Sequence, residues 1–218
     1  MQYDKNTISV LKKVLKPDSN CIDVGCHKGE ILDIFLQLSP QGEHFAFEPL
    51  PDFFRNLKAK YSEKVRLFDC ALSDKCGKTS FQYVKNAPAY SGLKKRAYTN
   101  QNPDIQEITV SLNKLDDIIR TDIRIDLIKI DVEGAEFHVL KGSFEILKRN
   151  KPVIIFEFGL GAADFYGTNP EDIFSLLENA GLKISLLKDF IKNRQSIDLK
   201  NFKYFYETNK EYYFVASP

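Results

Sequence analysis

Short, wholly apolar runs alternate along this chain with longer stretches whose apolar positions recur every three or four residues. The short runs suit strands buried on both faces, and the longer period suits amphipathic helices packed over them. A first helix is expected over about 7–15, with Val10, Leu11, Val14 and Leu15 on one side. Strands are expected at Cys21–Val24, His44–Phe47, Val65–Phe68, Leu127–Ile130 and Val153–Phe158. Helices are expected from about Gly29 to Leu38 and after Pro49 and Pro51, since proline is tolerated in a first helical turn. Phe137, Leu140, Phe144 and Leu147 keep helical spacing, broken at Gly142-Ser143, where Ser143 is expected to cap the second piece. A helix over Pro170–Asn179 should stop at Gly181, and 182–187 and 212–216 read as a closing pair of strands. The aromatic residues Phe202, Tyr204, Phe205, Tyr206, Tyr212, Tyr213 and Phe214 read as alternating at strand spacing, hence as core and edge packing. The alternation predicts an α/β fold, a mostly parallel sheet with helices on both faces.

The segment 74–113 breaks that rhythm. Thr79–Val84 and Glu107–Val110 look like added strands joined by a polar stretch, an inserted hairpin suited to act as a lid over the carboxyl edge of the sheet. With 218 residues the whole chain, 1–218, is expected to form one domain, with the N-terminal helix inside 1–17. A net charge of +1 gives no global pull toward nucleic acid. No apolar run reaches spanning length and the first five residues lack a signal-peptide layout, so a soluble cytoplasmic protein is expected. The four cysteines, Cys21, Cys26, Cys70 and Cys76, lack a C-x-x-C pair and read as free thiols.

The chemistry begins at residues 21–29, Cys-Ile-Asp-Val-Gly-Cys-His-Lys-Gly, followed by Phe47-Glu48-Pro49. A strand runs into a glycine-bearing turn, and the second strand ends on a carboxylate that can accept hydrogen bonds from a ribose diol. The dinucleotide spacing G-x-G-x-x-G fails here, because Asp23 and Lys28 occupy the outer glycine positions around Gly25. An acid at Asp23 is unfavourable beside a diphosphate but suits the ammonium of a methionine-like group. The pattern favours S-adenosylmethionine over NAD. Cys26 lies inside the turn, where it could pack against the ligand.

Residues 126–142 read Asp-Leu-Ile-Lys-Ile-Asp-Val-Glu-Gly-Ala-Glu-Phe-His-Val-Leu-Lys-Gly. Lys129, Asp131 and Glu133 in an apolar strand need partners or solvent, because a buried unpaired charge is expensive. Together with Asp23-Val-Gly, Phe47-Glu48-Pro49, Ala71-Leu72-Ser73-Asp74, Leu115-Asp116-Asp117 and Phe156-Glu157, this stretch strongly resembles the FkbM family of S-adenosylmethionine-dependent methyltransferases, over about residues 18–216. The resemblance implies the class I methyltransferase (Rossmann-like) fold, a seven-stranded sheet with the last strand antiparallel, and methylation of hydroxyl groups, often on sugars or natural products. It implies that Asp23, Gly25 and Gly29 line the methionine end, that Glu48 with Pro49 holds the ribose, and that Asp69, Cys70 and Ala71 border the adenine. Asp131 would sit closest to the methyl group. Cys26-His27 replaces the Ala-Asn often found after the first glycine, which leaves open what His27 contacts.

Asp131 and Glu157 are the candidate bases, each ending an inner strand; Asp131 serves equally as an acceptor of hydrogen bonds on the cofactor side without proton transfer. His138 reads as a packed or exposed histidine. Asp131 and Glu157 offer hard oxygen atoms, but nothing in the spacing requires a metal, and none is assigned. Tyr90 and Ser91 are expected to line the acceptor pocket, and Lys94-Lys95-Arg96 to receive a substrate phosphate or carboxylate, if that run is more than a solvated face. The expected partner is a small-molecule or glycan acceptor, without nucleic acid or a membrane span. The oligomeric state stays open, a homodimer among the alternatives. A non-catalytic cofactor-binding module and an NAD-linked oxidoreductase are the competing readings.

Overall fold

The structure, a computed structural model, describes residues 5–61, 63–98 and 102–218. Met1–Asp4, and Thr99–Gln101 of the expected insertion, lie outside the described residues. Helix α1 (Lys5–Val14) leads into β1 (Cys21–Val24), α2 (Glu30–Leu38), β2 (His44–Phe47), α3 (Pro51–Tyr61) and β3 (Arg66–Phe68). Strands β4 (Cys70–Leu72), β5 (Gly77–Val84) and β6 (Ile105–Asn113) and the short helix α4 (Leu115–Ile118) come next. The second half comprises β7 (Leu127–Ile130), α5 (Glu136–Lys141), α6 (Phe144–Asn150), β8 (Val153–Glu157), α7 (Pro170–Asn179), β9 (Lys183–Leu186), α8 (Leu187–Ile191), α9 (Leu199–Thr208) and β10 (Tyr213–Ser217).

Seven strands form one sheet in the order β3-β2-β1-β7-β8-β10-β9, with β10 antiparallel to both neighbours and the other pairings parallel. Strand order reverses at β1, so the crevice for a ligand opens beyond the carboxyl ends of β1 and β7. Period-two alternation divides the strands between two cores. Ile22, Val24, Phe45, Phe47, Ile128, Ile130, Ile154 and Phe156 pack with residues of α5, α6, α7 and α9. Cys21, Ala46, Leu127, Ile155 and Val215 pack with residues of α1, α2 and α3. The sheet is covered on both faces, as the alternation requires.

The expected insertion forms β5 and β6, which with β4 make a separate three-stranded sheet. Two local expectations are corrected. Phe202–Tyr206 lie on α9 rather than on a strand; Asp198 accepts from the Asn201 N–H (2.8 Å) to start that helix. Phe202 packs there against Phe158 and Phe214, at ring distances of 5.5 and 4.9 Å. Ser143 stands at the start of α6 but its hydroxyl makes no cap, donating instead to the Val139 carbonyl (2.7 Å) in α5.

Candidate active site

Beyond β1 the chain turns sharply. The Gly25 and Cys26 N–H groups both donate to the Phe47 carbonyl, at 3.0 and 3.3 Å, and His27 adopts a left-handed φ of 49°. That turn is held by Glu48, which accepts from the His27 N–H through Oε2 and from the Leu50 N–H through Oε1, each at 2.9 Å. Burial pushes the Glu48 carboxyl up to about 7, against the pull of those two N–H groups. Glu48, Gly25, His27 and Pro49 line a cleft whose far wall is Cys70, Ala71, Leu72, Phe81 and Leu93. The His27 ring lies 4.3 Å from that of Phe53, which answers what this side chain contacts.

The residues expected at this site divide between those that reach the cleft and those that do not. Gly25 lines the cleft, but its missing side chain is required by the protein itself: a Cβ there would meet the Asp131 carbonyl oxygen at 2.1 Å. Gly29 is outside the lining; its Cβ would strike the Tyr61 hydroxyl at 2.3 Å, and that hydroxyl donates to the Gly29 carbonyl (2.5 Å). Cys26 is buried in the α1–α3 core rather than turned to the cleft. Asp69 is exposed and does not line it. Asp23 does not reach it either. At mid-strand its parity matches that of Cys21, so it is fully buried on the α1–α3 face, level with Lys129 of β7.

That level begins a charged ladder. Residues 23, 129, 131, 157 and 213 fall on one face of the sheet by register and parity. The Lys129 ammonium, 2% exposed, lies 3.6 Å from Asp23 and 3.3 Å from Asp131. Tyr213 donates its hydroxyl to Asp131 (3.2 Å), and Glu157 hydrogen-bonds the same carboxylate. Burial raises the Asp131 carboxyl, yet the Lys129 charge and the hydrogen bonds from Glu157, Lys129 and Tyr213 outweigh it and hold Asp131 below its ordinary value. Glu157 moves the other way, to about 9, through burial and the Asp131 charge. Of the two carboxyls, Glu157 is thus the one whose surroundings favour the protonated form. Asp23 rises to about 6 through burial, with Lys129 opposing.

The loop after β7 repeats the device seen after β1. Glu133 takes a left-handed φ of 60°, and the fully buried Glu136 accepts from the N–H groups of Val132 (3.0 Å) and Gly134 (3.2 Å). Glu133 is thereby turned toward Arg96 of the insertion, with which it forms an ion pair. Asp131, Glu133 and Glu157 border a second cavity of about 810 Å³, also lined by Tyr90, Arg96, Leu160, Tyr212 and Tyr213. Asp131 and Glu133 line both spaces, so cleft and cavity meet at them.

Tyr90 and Arg96 are thus at the cavity, whereas Ser91 lines the cleft and accepts from the Val84 N–H (3.0 Å). Lys94 and Lys95 line neither space. The Lys94 ammonium donates to the Phe165 carbonyl (3.1 Å), and Lys95 is exposed. His138 pairs with Asp74 at 3.3 Å, away from both spaces. Asp131, Glu133 and Glu157 each bring an oxygen within 4.8 Å of the others. Within that cluster Lys129 pairs with Asp131 and Arg96 with Glu133. Sequence reasoning missed Glu136 and Tyr213; the signal for Tyr213 was its place opposite Glu157 in the β8–β10 pair.

A sequence model of the methyltransferase FkbM domain matches residues 23–184. The chain is 30% identical over 167 residues to the 2-O-methyltransferase NoeI of Sinorhizobium fredii, covering 69% of this chain and 67% of that protein. It is 26% identical over 208 residues to the hexuronic acid methyltransferase AglP of Haloferax volcanii, covering 91% and 80%. Among solved structures, a methyltransferase FkbM from Methylobacillus flagellatus superposes with a TM-score of 0.55 at 15% identity, over 94% of this chain and 44% of that one. Fibrillarin from Methanococcus jannaschii gives 0.52 at 15% identity, over 98% and 74%. The two structures show a shared class I methyltransferase fold. The chain spans less than half the length of the first of them.

Proposed function

The chain belongs to the FkbM methyltransferase family, and from that premise we propose that it methylates a hydroxyl oxygen of a small-molecule or glycan acceptor in the cavity beside Asp131. S-adenosylmethionine is the cofactor, and when bound it supplies an electrophilic methyl group on a sulfonium sulfur. The cleft suits its nucleoside: Glu48 still has a second lone pair on each oxygen for a diol, and Ala71, Leu72 and Phe81 offer an apolar wall to a base. No described helix is long and apolar enough to cross a membrane.

The observation that carries the reading is the meeting of cleft and cavity at Asp131. A sugar or alcohol hydroxyl is a poor nucleophile while protonated, and a carboxylate within reach that removes the proton contributes about 10²–10⁴ in rate. Lys129 keeps Asp131 ionised, and the hydrogen bonds from Tyr213 and Glu157 fix its orientation. The whole chain acts as one domain, in which the insertion closes both spaces: Phe81, Ser91 and Leu93 face the cleft, and Tyr90 and Arg96 the cavity.

The test is transfer of tritium from methyl-labelled cofactor to a panel of glycosides and hydroxylated small molecules, with Asp131→Asn beside the wild type. Turnover should fall by about 10²–10⁴ while cofactor affinity stays within about twofold. Undiminished turnover removes Asp131 from the base role. Cofactor binding without transfer to any acceptor leaves a binding module instead.

A further inference from the structure

We propose that the acceptor of this site is amphiphilic. Its reacting hydroxyl lies at Asp131, and a flat apolar group of the same molecule rests on Leu160 and Tyr212 at the cavity mouth. This rests on the methyl-transfer reading and adds a second contact for the acceptor.

The cavity changes character between its floor and its mouth. The floor holds Asp131 and Glu157, at the carboxyl ends of β7 and β8. Among the described residues four large apolar side chains stand exposed, and two of them, Leu160 at 42% and Tyr212 at 48%, border this one cavity. A single exposed apolar residue is ordinary on a surface; a pair gathered at the mouth of a cavity is not. The backbone gathers them. The Phe158 N–H donates to the Tyr212 carbonyl (2.7 Å), and a Cβ at Gly159 would meet the Tyr212 Cβ at 3.3 Å. The loop that carries Leu160 therefore leaves β8 alongside the start of β10.

The polar groups around this pair are taken up within the protein. The Gly161 N–H donates to the Asp164 carboxylate (2.7 Å), and the Gly161 carbonyl accepts from the Ala97 N–H (3.2 Å). Glu211, next to Tyr212, pairs with Lys188. What the mouth offers a ligand is thus Leu160 and the Tyr212 ring, with Ala97 and Ala162 on the same wall. Covering such side chains removes them from water, and an aromatic partner adds the preference of rings for offset or edge contact. The volume of about 810 Å³ lies toward the top of the range for drug-sized ligands, roughly 300–1,000 Å³, so it holds more than the group that carries the hydroxyl. A wholly polar acceptor would leave Leu160 and Tyr212 in water.

The experiment begins with calorimetric titration of adenosylhomocysteine. Its failure to bind would overturn the methyl-transfer reading itself, and this inference with it. With adenosylhomocysteine bound, saturation-transfer NMR then compares alcohols matched except for the apolar group. The pairs are methyl against 2-naphthyl glucoside, galactoside and fucoside, and propane-1,2-diol against 3-(2-naphthyl)propane-1,2-diol. At least one naphthyl member should bind about tenfold more tightly than its partner. Leu160→Ser combined with Tyr212→Ser should cut that advantage to about twofold, with adenosylhomocysteine affinity reporting that the chain is folded. If the double variant does not fold, each single substitution should reduce the advantage in part. Tyr212→Phe, which keeps the apolar face, should preserve it. Equal binding within every pair overturns the proposal. So does an advantage that survives the substitutions to serine, since the naphthyl group then lies elsewhere on the molecule. A chain that binds adenosylhomocysteine but no naphthyl member overturns it too and leaves the methyl-transfer reading standing.

Discussion

The loops after β1 and β7 are built alike and used differently. In each, a non-glycine residue sits in the left-handed region, His27 in one and Glu133 in the other. In each, a buried carboxylate accepts two backbone N–H groups and so fixes the loop, Glu48 in the first and Glu136 in the second. The difference is where the holding group stands. Glu48 lines the cleft, so one side chain both shapes the turn and faces the cleft. Glu136 lines neither space, and the loop it holds presents other groups, Asp131 and Glu133, where the two spaces meet. One loop combines support with contact; the other separates them.

The largest expected effect lies beneath both loops. Lys129 bridges Asp23 of β1 and Asp131 of β7, so Lys129→Met leaves two buried carboxylates without their counter-charge. Removing one partner of a buried ionic cluster costs about 3–5 kcal/mol, and denaturant unfolding should report a loss of that size. A loss below about 1 kcal/mol would show that the ladder does not couple the strands. The comparison itself is tested next by pairing Glu136→Ala with Glu48→Ala. Each strands two N–H groups and should cost about 1–3 kcal/mol of stability. Only Glu48→Ala should also weaken cofactor binding, by about 1–3 kcal/mol in calorimetry. Equal losses of affinity in the two variants would erase the distinction drawn between the loops.

A subtler outcome follows from the Glu48 carboxyl, which burial holds at about 7 in the free chain. Ribose hydroxyls donate to the ionised form, so below that pH a proton must leave before the contact forms. Affinity should therefore fall as pH drops through 7, by as much as about tenfold per unit, and Glu48→Gln should flatten that dependence between pH 5.5 and 8. Asp23 and Glu136, at about 6 and about 7, titrate in the same window, which is why the variant rather than the slope decides.

The contrast between the loops also explains what could be seen in the sequence. Glu48 was legible because it ends a strand, and a strand-end acid faces the crevice of such a sheet. Lys129 and Asp131 were legible as charges in need of partners, and parity alone puts them on one face. The same parity turns Asp23 to Lys129 rather than to the cleft. Glu136 was hidden, because a glutamate at a helix start reads as exposed until the preceding loop is known to fold back over it. Lys94, Lys95 and Arg96 are adjacent in sequence but diverge in space. The directions of Lys94 and Arg96 are set by Phe165, Tyr166 and Glu133, which are distant in sequence. The run 202–206 fits period two and helical spacing equally well. The cap at Asp198 and the packing of Phe202 on Phe158 decide for the helix.

The last expected effect concerns stability alone, and it isolates the proton on the β8 side of the ladder. The folded-state value for Glu157 is raised to about 9, chiefly by burial and then by Asp131, whereas an unfolded glutamate titrates near 4.5. Between those values the folded chain binds the extra proton. Its stabilising contribution is complete below about 4.5 and is lost as pH rises through about 9. Thermal unfolding of the wild type should therefore move to lower temperature from pH 6 to pH 9. Glu157→Gln, which keeps a hydrogen-bond donor toward Asp131 without a titrating proton, should lose less over the same interval. Parallel slopes in the two proteins would mean that Asp131 and Glu157 do not share that proton. The Glu48 turn would stand as described.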